Sequence, residues 1–295
     1  MASHDTGTVR IASAQLTAEI ALKGAELVRL QDEAGRDLLW DGDPAFWTGR
    51  SPILFPIVGR LKDDRFTVDG SAHPMRQHGI ARTAGFTLAE RDEAACRLRL
   101  AADAATREAF PYDFTLDLAY RIAGSTLDIT GTVHNPGSEP MPVAFGFHPA
   151  FRWPLPYGAP ALDHAVVFAD DEPGPLAVLA DGLLSGETRP SPVRGRRLAL
   201  TPHLFDADAL VFLAPVSRSV DYGPAEGRKL RIGFDGMPQL GIWSKPGAPF
   251  VCIEPWHGYA SPADFDGDAT RKPGTTLVAP GESRSFGMQV SLTAA

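Results

Sequence analysis

The chain predicts an all-β fold, a large antiparallel β-sandwich with few short helices. Three observations point there. Short runs alternate apolar and polar residues, the mark of strands with one buried face. The 29 glycines and 26 prolines are scattered, so they punctuate those runs. Windows with helical periodicity are scarce. Many short strands with frequent turn signals suit a sandwich. A chain of 295 residues can form it as one domain, 1–295, and no repeat, low-complexity tract or linker divides it.

The elements follow in order. Val9–Ile11, Leu16–Ile20 and Glu26–Leu30 are short strand candidates, and Gly35-Arg36-Asp37 is a turn before Leu38-Leu39-Trp40. Phe86–Leu88 and Cys96–Leu100 alternate as well. Asp103–Phe110 suits one or two helical turns. Phe114, Leu116, Leu118, Tyr120 and Ile122 share one face, with Thr115, Asp117 and Arg121 on the other. After Gly124-Ser125 the alternation resumes at Leu127, Ile129 and Val133, and Asn135-Pro136-Gly137 closes a hairpin. Trp153–Pro160 and Asp170–Arg194 are rich in turn formers and are expected as long loops. Asp206–Leu210 suits a short helix. Phe250–Ile253 is an apolar run that leads into Glu254 and stops at Pro255.

Composition excludes several function classes. The net charge is −8, and the one basic cluster, Arg194, Arg196 and Arg197, suits a solvated loop. An acidic chain repels phosphate backbones, so no nucleic-acid partner is expected. No apolar run approaches the roughly 20 residues that span a bilayer, and the N-terminus shows no basic and apolar leader pattern. No membrane partner and a cytoplasmic location are therefore expected. Cys96 and Cys252 sit among strand residues and suit buried free thiols. The eight histidines are dispersed, with His73 and His78 the only close pair in a candidate segment, so no metal is expected. A nucleophile elbow, a phosphate loop and a dinucleotide fingerprint are all missing from the sequence.

Four segments combine rigid backbone with titratable groups: Arg50–Arg60, Met75–Arg82, Phe145–Phe151 and Phe250–Tyr259. A carboxylate at the end of a buried strand is costly without partners. Glu254 with His78 and His148 makes the set a proton-shuttling site needs, because imidazole titrates near neutrality and burial raises a carboxylate toward the same range. Arg60 or Arg82 is the alternative partner, in a structural ion pair. Trp47, Phe147, Phe151, Trp256 and Tyr259 are candidates for the flat faces on which a sugar ring stacks.

With these segments the chain resembles the aldose 1-epimerase (galactose mutarotase-like) superfamily, and within it the LacX-like branch. The resemblance rests on Ser51–Arg60, Gln77–Arg82, Phe145–Phe151, Asp208–Phe212, Cys252–Trp256 and Leu277–Ser283, in that order along the whole chain. It implies an antiparallel β-supersandwich with an open cleft, and ring opening and closing of a free sugar at C1 without a cofactor. By motif, Glu254 looks like the general base for the C1 hydroxyl and His148 like the general acid for the ring oxygen. His78, Arg60 and Asp208 look like substrate-binding residues, with Asp206 competing for the last role. The chain departs from the mutarotase pattern at Phe147, before the acid histidine, and at Trp256-His257-Gly258. Related branches act on hexose 6-phosphates, which would use basic residues at the rim: Arg50, Arg76, Arg82 and Arg152. A non-catalytic carbohydrate-binding protein on the same scaffold is the other alternative. A monomer or homodimer is expected.

Overall fold

The computed structural model describes residues 7–294. Strands dominate it. Among the described residues there is one α-helix, Ala104–Ala109, and four short 3-10 turns. Asp103 caps the helix: its carboxylate accepts from Thr106 N, while the Thr106 hydroxyl accepts from Asp103 N. No helix is long and apolar enough to cross a membrane.

Two large antiparallel sheets carry the fold. The nine-stranded sheet is built around the predicted hairpin, Thr115–Ala123 paired with Thr126–His134, which continues into Ser283–Leu292. Alternation decides this geometry: Leu116, Leu118, Tyr120 and Ile122 are buried on one face, and Gly124 takes the positive φ its turn requires. The eight-stranded sheet places Phe250–His257 near its middle, beside Gln239–Trp243 on one side and Phe145–Phe147 and Ala150–Arg152 on the other. A separate three-stranded sheet holds the N-terminal strands Thr8–Ala12, Leu16–Ala21 and Leu27–Asp32.

One continuous core, running in sequence from Val9 to Leu292, fills the space between the large sheets. Aromatic pairs cross it: Phe145 stacks on Phe286 at 4.9 Å, and Phe168 meets Phe212 at 5.4 Å. Strand Phe250–His257 is buried on both faces, so its apolar run does not alternate. Its odd-numbered residues Val251 and Ile253 join the main core. Its even-numbered residues face the other way, toward a cleft.

Two expectations are corrected. Asp170–Arg194 is not one long loop; it contains a hairpin, Leu176–Ala180 with Leu183–Arg189, at the edge of the eight-stranded sheet. Its turn is Asp181-Gly182, with φ of +51° and +78°. That dipeptide is a strong two-residue hairpin signal, obscured by the polar, proline-rich flanks. Asp206–Leu210 is not a helix. Turns lead through Asp208, at φ +73°, straight into strand Leu210–Phe212. Trp153–Pro160 is irregular, as expected. The Arg194, Arg196 and Arg197 cluster is exposed, and both cysteines are buried and free.

Candidate active site

One face of strand Phe250–His257 carries Phe250, Cys252, Glu254 and Trp256; Glu254 and Trp256 line the cleft, and Phe250 and Cys252 are buried beside it. Across from it, Gly146 pairs with Trp256 and Ala150 pairs with Cys252. These two pairings share one register, and continuing it through the break at His148-Pro149 sets His148 directly opposite Glu254. Directly opposed side chains on one sheet face touch. Here His148 Nε2 lies 3.2 Å from Glu254 Oε2, and both residues are buried, at 7% and 2% exposure.

Two histidines and the carboxylate do converge. The His78 ring meets the His148 ring edge-on, with centroids 5.6 Å apart. His78 sits at φ +68° in a turn locked against Phe55-Pro56; a Cβ on the next residue, Gly79, would lie 2.2 Å from the Phe55 carbonyl oxygen. The His78 Nδ1 accepts from the Gly59 N–H at 3.2 Å. That bond fixes the tautomer, leaving Nε2 to carry the proton; the Gln77 amide nitrogen 3.3 Å away is also a donor and does not satisfy it. Burial, with the Arg82 charge adding, holds the His78 imidazole down to about 3. Burial thus favours its neutral form.

Burial moves the two groups of this pair in opposite directions. Desolvation pushes Glu254 well above the usual carboxylate range, and the Asp208 charge adds to this. The Trp256 indole N–H leans toward the carboxylate and opposes the rise, yet stops short of a full hydrogen bond. Desolvation holds His148 well below the usual imidazole range, with His78 and Arg82 adding. Both changes favour the uncharged forms.

The cavity over this pair has a volume of about 280 Å³. That is at the small end of the roughly 300–1,000 Å³ typical of ligand pockets, a size for a single small ring. Trp47, Trp243, Trp256 and Tyr259 supply aromatic walls, and Gln77, Arg82 and Asp208 supply polar groups. Trp47 lies against the His148 ring at 5.0 Å and meets Trp243 edge-on at 5.7 Å. The Trp256 indole lies flat over glycines of both neighbouring strands. A Cβ at Gly241 would sit 2.4 Å from two of its ring carbons, and one at Gly146 2.7 Å from its Cδ1.

The remaining candidates are placed as follows. Asp208 lines the cavity, whereas Asp206 turns away to His203 at 3.0 Å. Neither lies on a strand, so they share no strand face. Arg60 lies outside the main cavity, in a shallower one that adjoins it through Gln77, Gly182 and Asp208. Its guanidinium is clamped by Asp64 at 2.8 and 2.9 Å and donates to the Asp181 carbonyl. Neither Arg60 nor Arg82 pairs with Glu254; His148 does. Phe147 and Phe151 are in the main core and not in the cleft, because they stand an odd number of residues from His148 on a pleated chain. His257, also odd-numbered relative to Glu254, packs on Phe286 and contacts Thr276. Of the rim arginines, Arg82 lines the cavity, Arg76 the adjoining one, and Arg50 and Arg152 are turned to the Asp41 segment.

The sequence reading missed Trp243, Leu179, Gly182 and Leu184 as lining residues. The last three belong to the hairpin mistaken for a loop. Trp243 follows Gly241 at a two-residue spacing, which was the available signal. Cys252 was also missed as a neighbour of the pair: its sulfur, a His148 ring nitrogen and a Glu254 oxygen all lie within 4.8 Å of one another. Burial, with Glu254 adding, pushes that thiol well up.

A β-sandwich whose central strand sets a carboxylate against an imidazole in a sugar-sized cleft is a galactose mutarotase-like architecture. Its likeness to solved structures is close. The galactose mutarotase related enzyme from Lactobacillus acidophilus superposes with a TM-score of 0.91 at 27% identity, covering 97% of each chain. A galactose mutarotase-like protein from Lactobacillus casei ATCC 334 superposes at 0.90 with 28% identity, covering 97% of this chain and 100% of that one. Protein LacX of Lactococcus lactis subsp. lactis is 32% identical over 284 residues, 92% of this chain and 95% of its own length. The family model for aldose 1-epimerase matches residues 7–291, and the chain belongs to that family.

Proposed function

We propose that the protein interconverts the α and β anomers of a free aldose by acid–base ring opening at C1. The observation that carries this reading is the 3.2 Å contact between His148 Nε2 and Glu254 Oε2 on the floor of the cleft. Such a pair holds one proton between its members and has two net-neutral forms: carboxylate with imidazolium, and carboxylic acid with imidazole. In the first form Glu254 takes the O1 proton while His148 gives its proton to O5, and the C1–O5 bond breaks. The pair is left in the second form. Rotation about C1–C2 presents the other carbonyl face, and the same transfers in reverse close the ring. Burial, which raises the carboxyl and lowers the imidazole, stabilises the second form relative to the first.

His78 Nε2–H is the donor for the oxygen on which charge develops, and Asp208 holds the sugar at the rim, while Arg60, held by Asp64 in the adjoining cavity, stands back from it. The tryptophans exclude water and offer flat faces. No cofactor or metal is needed, because free aldoses open unaided, only slowly. Each placed acid or base is worth on the order of 10²–10⁴-fold. We take the enzyme to act in the cytoplasm as a monomer or homodimer.

Polarimetry on freshly dissolved α-glucose and α-galactose is the test. The protein should speed the approach to equilibrium, and Glu254→Gln should lose roughly 10²–10⁴-fold of that effect. Sugar binding with the rate unchanged, and Glu254→Gln behaving identically, would leave a carbohydrate-binding protein on this fold. One observation favours a second substrate reading. Arg82 lines the cavity and makes no ion pair among the described residues. An unpaired guanidinium suits an anionic sugar such as a hexose 6-phosphate. On that reading Arg82→Gln raises KM for glucose 6-phosphate by roughly tenfold or more and leaves KM for glucose in place.

A further inference from the structure

We propose that the floor of the cleft is also a binding site for a zinc-like divalent ion, with His148, Cys252 and Glu254 as its three ligands. Their ligand atoms already lie within 4.8 Å of one another. The strand geometry makes this a built cluster: Cys252 and Glu254 are two residues apart on one strand face, and His148 stands opposite Glu254 in the break between the two short strands that pair with it. Imidazole, thiolate and carboxylate are the donor set that suits Zn²⁺. Tetrahedral bonds of about 2.0–2.3 Å place ligand atoms roughly 3.3–3.8 Å apart. The His148–Glu254 separation of 3.2 Å is at that spacing, and the widest separation in the cluster needs to close by about 1 Å. Rotation of the short Cys252 side chain can supply that.

A second observation marks the site. The His148 side chain is 9% exposed, and its Nδ1 makes no hydrogen bond. A buried nitrogen without a partner is an uncommon cost, and it leaves the ring free to pivot onto an ion without breaking a second bond. Charge also fits. Binding releases the Cys252 thiol proton and the proton shared by His148 and Glu254. The ion's two positive charges are then met by one thiolate and one carboxylate. The complex is neutral, the form that a desolvated floor tolerates. His148 and Glu254 line the cavity, so a fourth ligand can enter from that side, as in accessible zinc sites rather than closed structural ones.

Binding stands apart from the catalytic proposal, and its consequence for turnover rests on it. With the ion in place neither Glu254 nor His148 is available to a sugar, so zinc acts as an inhibitor competitive with the substrate. The test titrates the metal-free protein with Co²⁺ and with Zn²⁺ alone. One Co²⁺ per chain should bind with a thiolate-to-cobalt charge-transfer band in the near ultraviolet. Cys252→Ser and Cys252→Ala should lose that band and weaken Zn²⁺ binding in calorimetry by roughly 100-fold, while Cys96→Ser keeps both. Both Cys252 variants should retain epimerisation in chelator and resist Zn²⁺ that silences the wild type. A titration with no band, or a band that survives in a folded Cys252 variant, overturns the site. Binding that meets every spectroscopic expectation and yet leaves epimerisation untouched upholds the site and tells against Glu254 and His148 as the acid–base pair.

Discussion

Trp256 is seated by the absence of two side chains, and Gly241→Ala tests that seat. A Cβ at this position would fall 2.4 Å from two indole carbons and 3.1 Å from a third. Ordinary contact begins near 3.4 Å, so the ring has to move by about 1 Å. It cannot slide across the sheet, because its other edge rests over Gly146, where a Cβ position is 2.7 Å from Cδ1. The open direction is up, into the cavity. Overpacking of this kind costs about 1–3 kcal/mol. For a chain of this size that is a fall in Tm of roughly 2–6 °C. Lifting the indole also takes its N–H away from Glu254, the one group that opposes the rise of that carboxyl. The carboxylate form becomes harder to reach, and kcat for anomer exchange should fall by more than the loss of cavity space alone explains. Thermal melts and polarimetry on Gly241→Ala, Trp256→Phe and the double variant make a cycle. The smaller ring should relieve the clash, so the double variant melts above Gly241→Ala. If Gly241→Ala melts and turns over like wild type, the flat seating of Trp256 is wrong.

The other expectations concern His78. His78→Ala removes a donor facing the reacting sugar and should lower kcat/KM by roughly 10–100-fold, the worth of about 1.5–3 kcal/mol for a hydrogen bond to a developing charge. The measurement is initial-rate polarimetry, and a loss confined to KM would remove His78 from the transition state. The second expectation is for stability against pH. The folded imidazole is held at about 3 against an ordinary value of 6.5, so the unfolded chain takes up the proton first. The stability of the neutral form is full above 6.5 and is lost as pH falls toward 3, by at most about 1.4 kcal/mol per pH unit. Comparing wild type with His78→Gln, the gap in urea midpoint should shift against the wild type between pH 7 and pH 5. A gap that stays constant would mean that His78 titrates normally in the fold.

The fold was legible where alternation is clean. Leu116 to Ile122 and Leu127 to Val133 state their own faces, and the structure follows them residue by residue. Composition misled at Asp181-Gly182, where polar flanks hid a two-residue turn. The candidate set of Glu254, His78 and His148 was legible as residue types, since a carboxylate closing an apolar run needs a partner. The identity of that partner was not: pairing of His148 with Glu254 is set by register between strands a hundred residues apart, and no local pattern encodes it. Parity would have excluded Phe147 and Phe151 as neighbours of His148. Arg60 was harder, because Asp64, four residues on, draws its guanidinium away from the main cavity.

The hairpin Leu176–Arg189 has a consequence for how this scaffold can change. Of the groups proposed to move protons, Glu254 belongs to a strand with neighbours on both sides and His148 to the break between two short strands paired with it, so a shift in backbone would disturb several pairings at once. The wall facing them, through Leu179, Gly182 and Leu184, is the sheet's last hairpin, bordered on its outer side by no further strand of that sheet. Lengthening its turn or altering its residues reshapes the ligand's enclosure while the reactive centre stays where it is. On the proposed function, a fixed reactive centre is thus separated from an adjustable ligand wall, and exchanging this one hairpin between relatives is the direct route to a new preference.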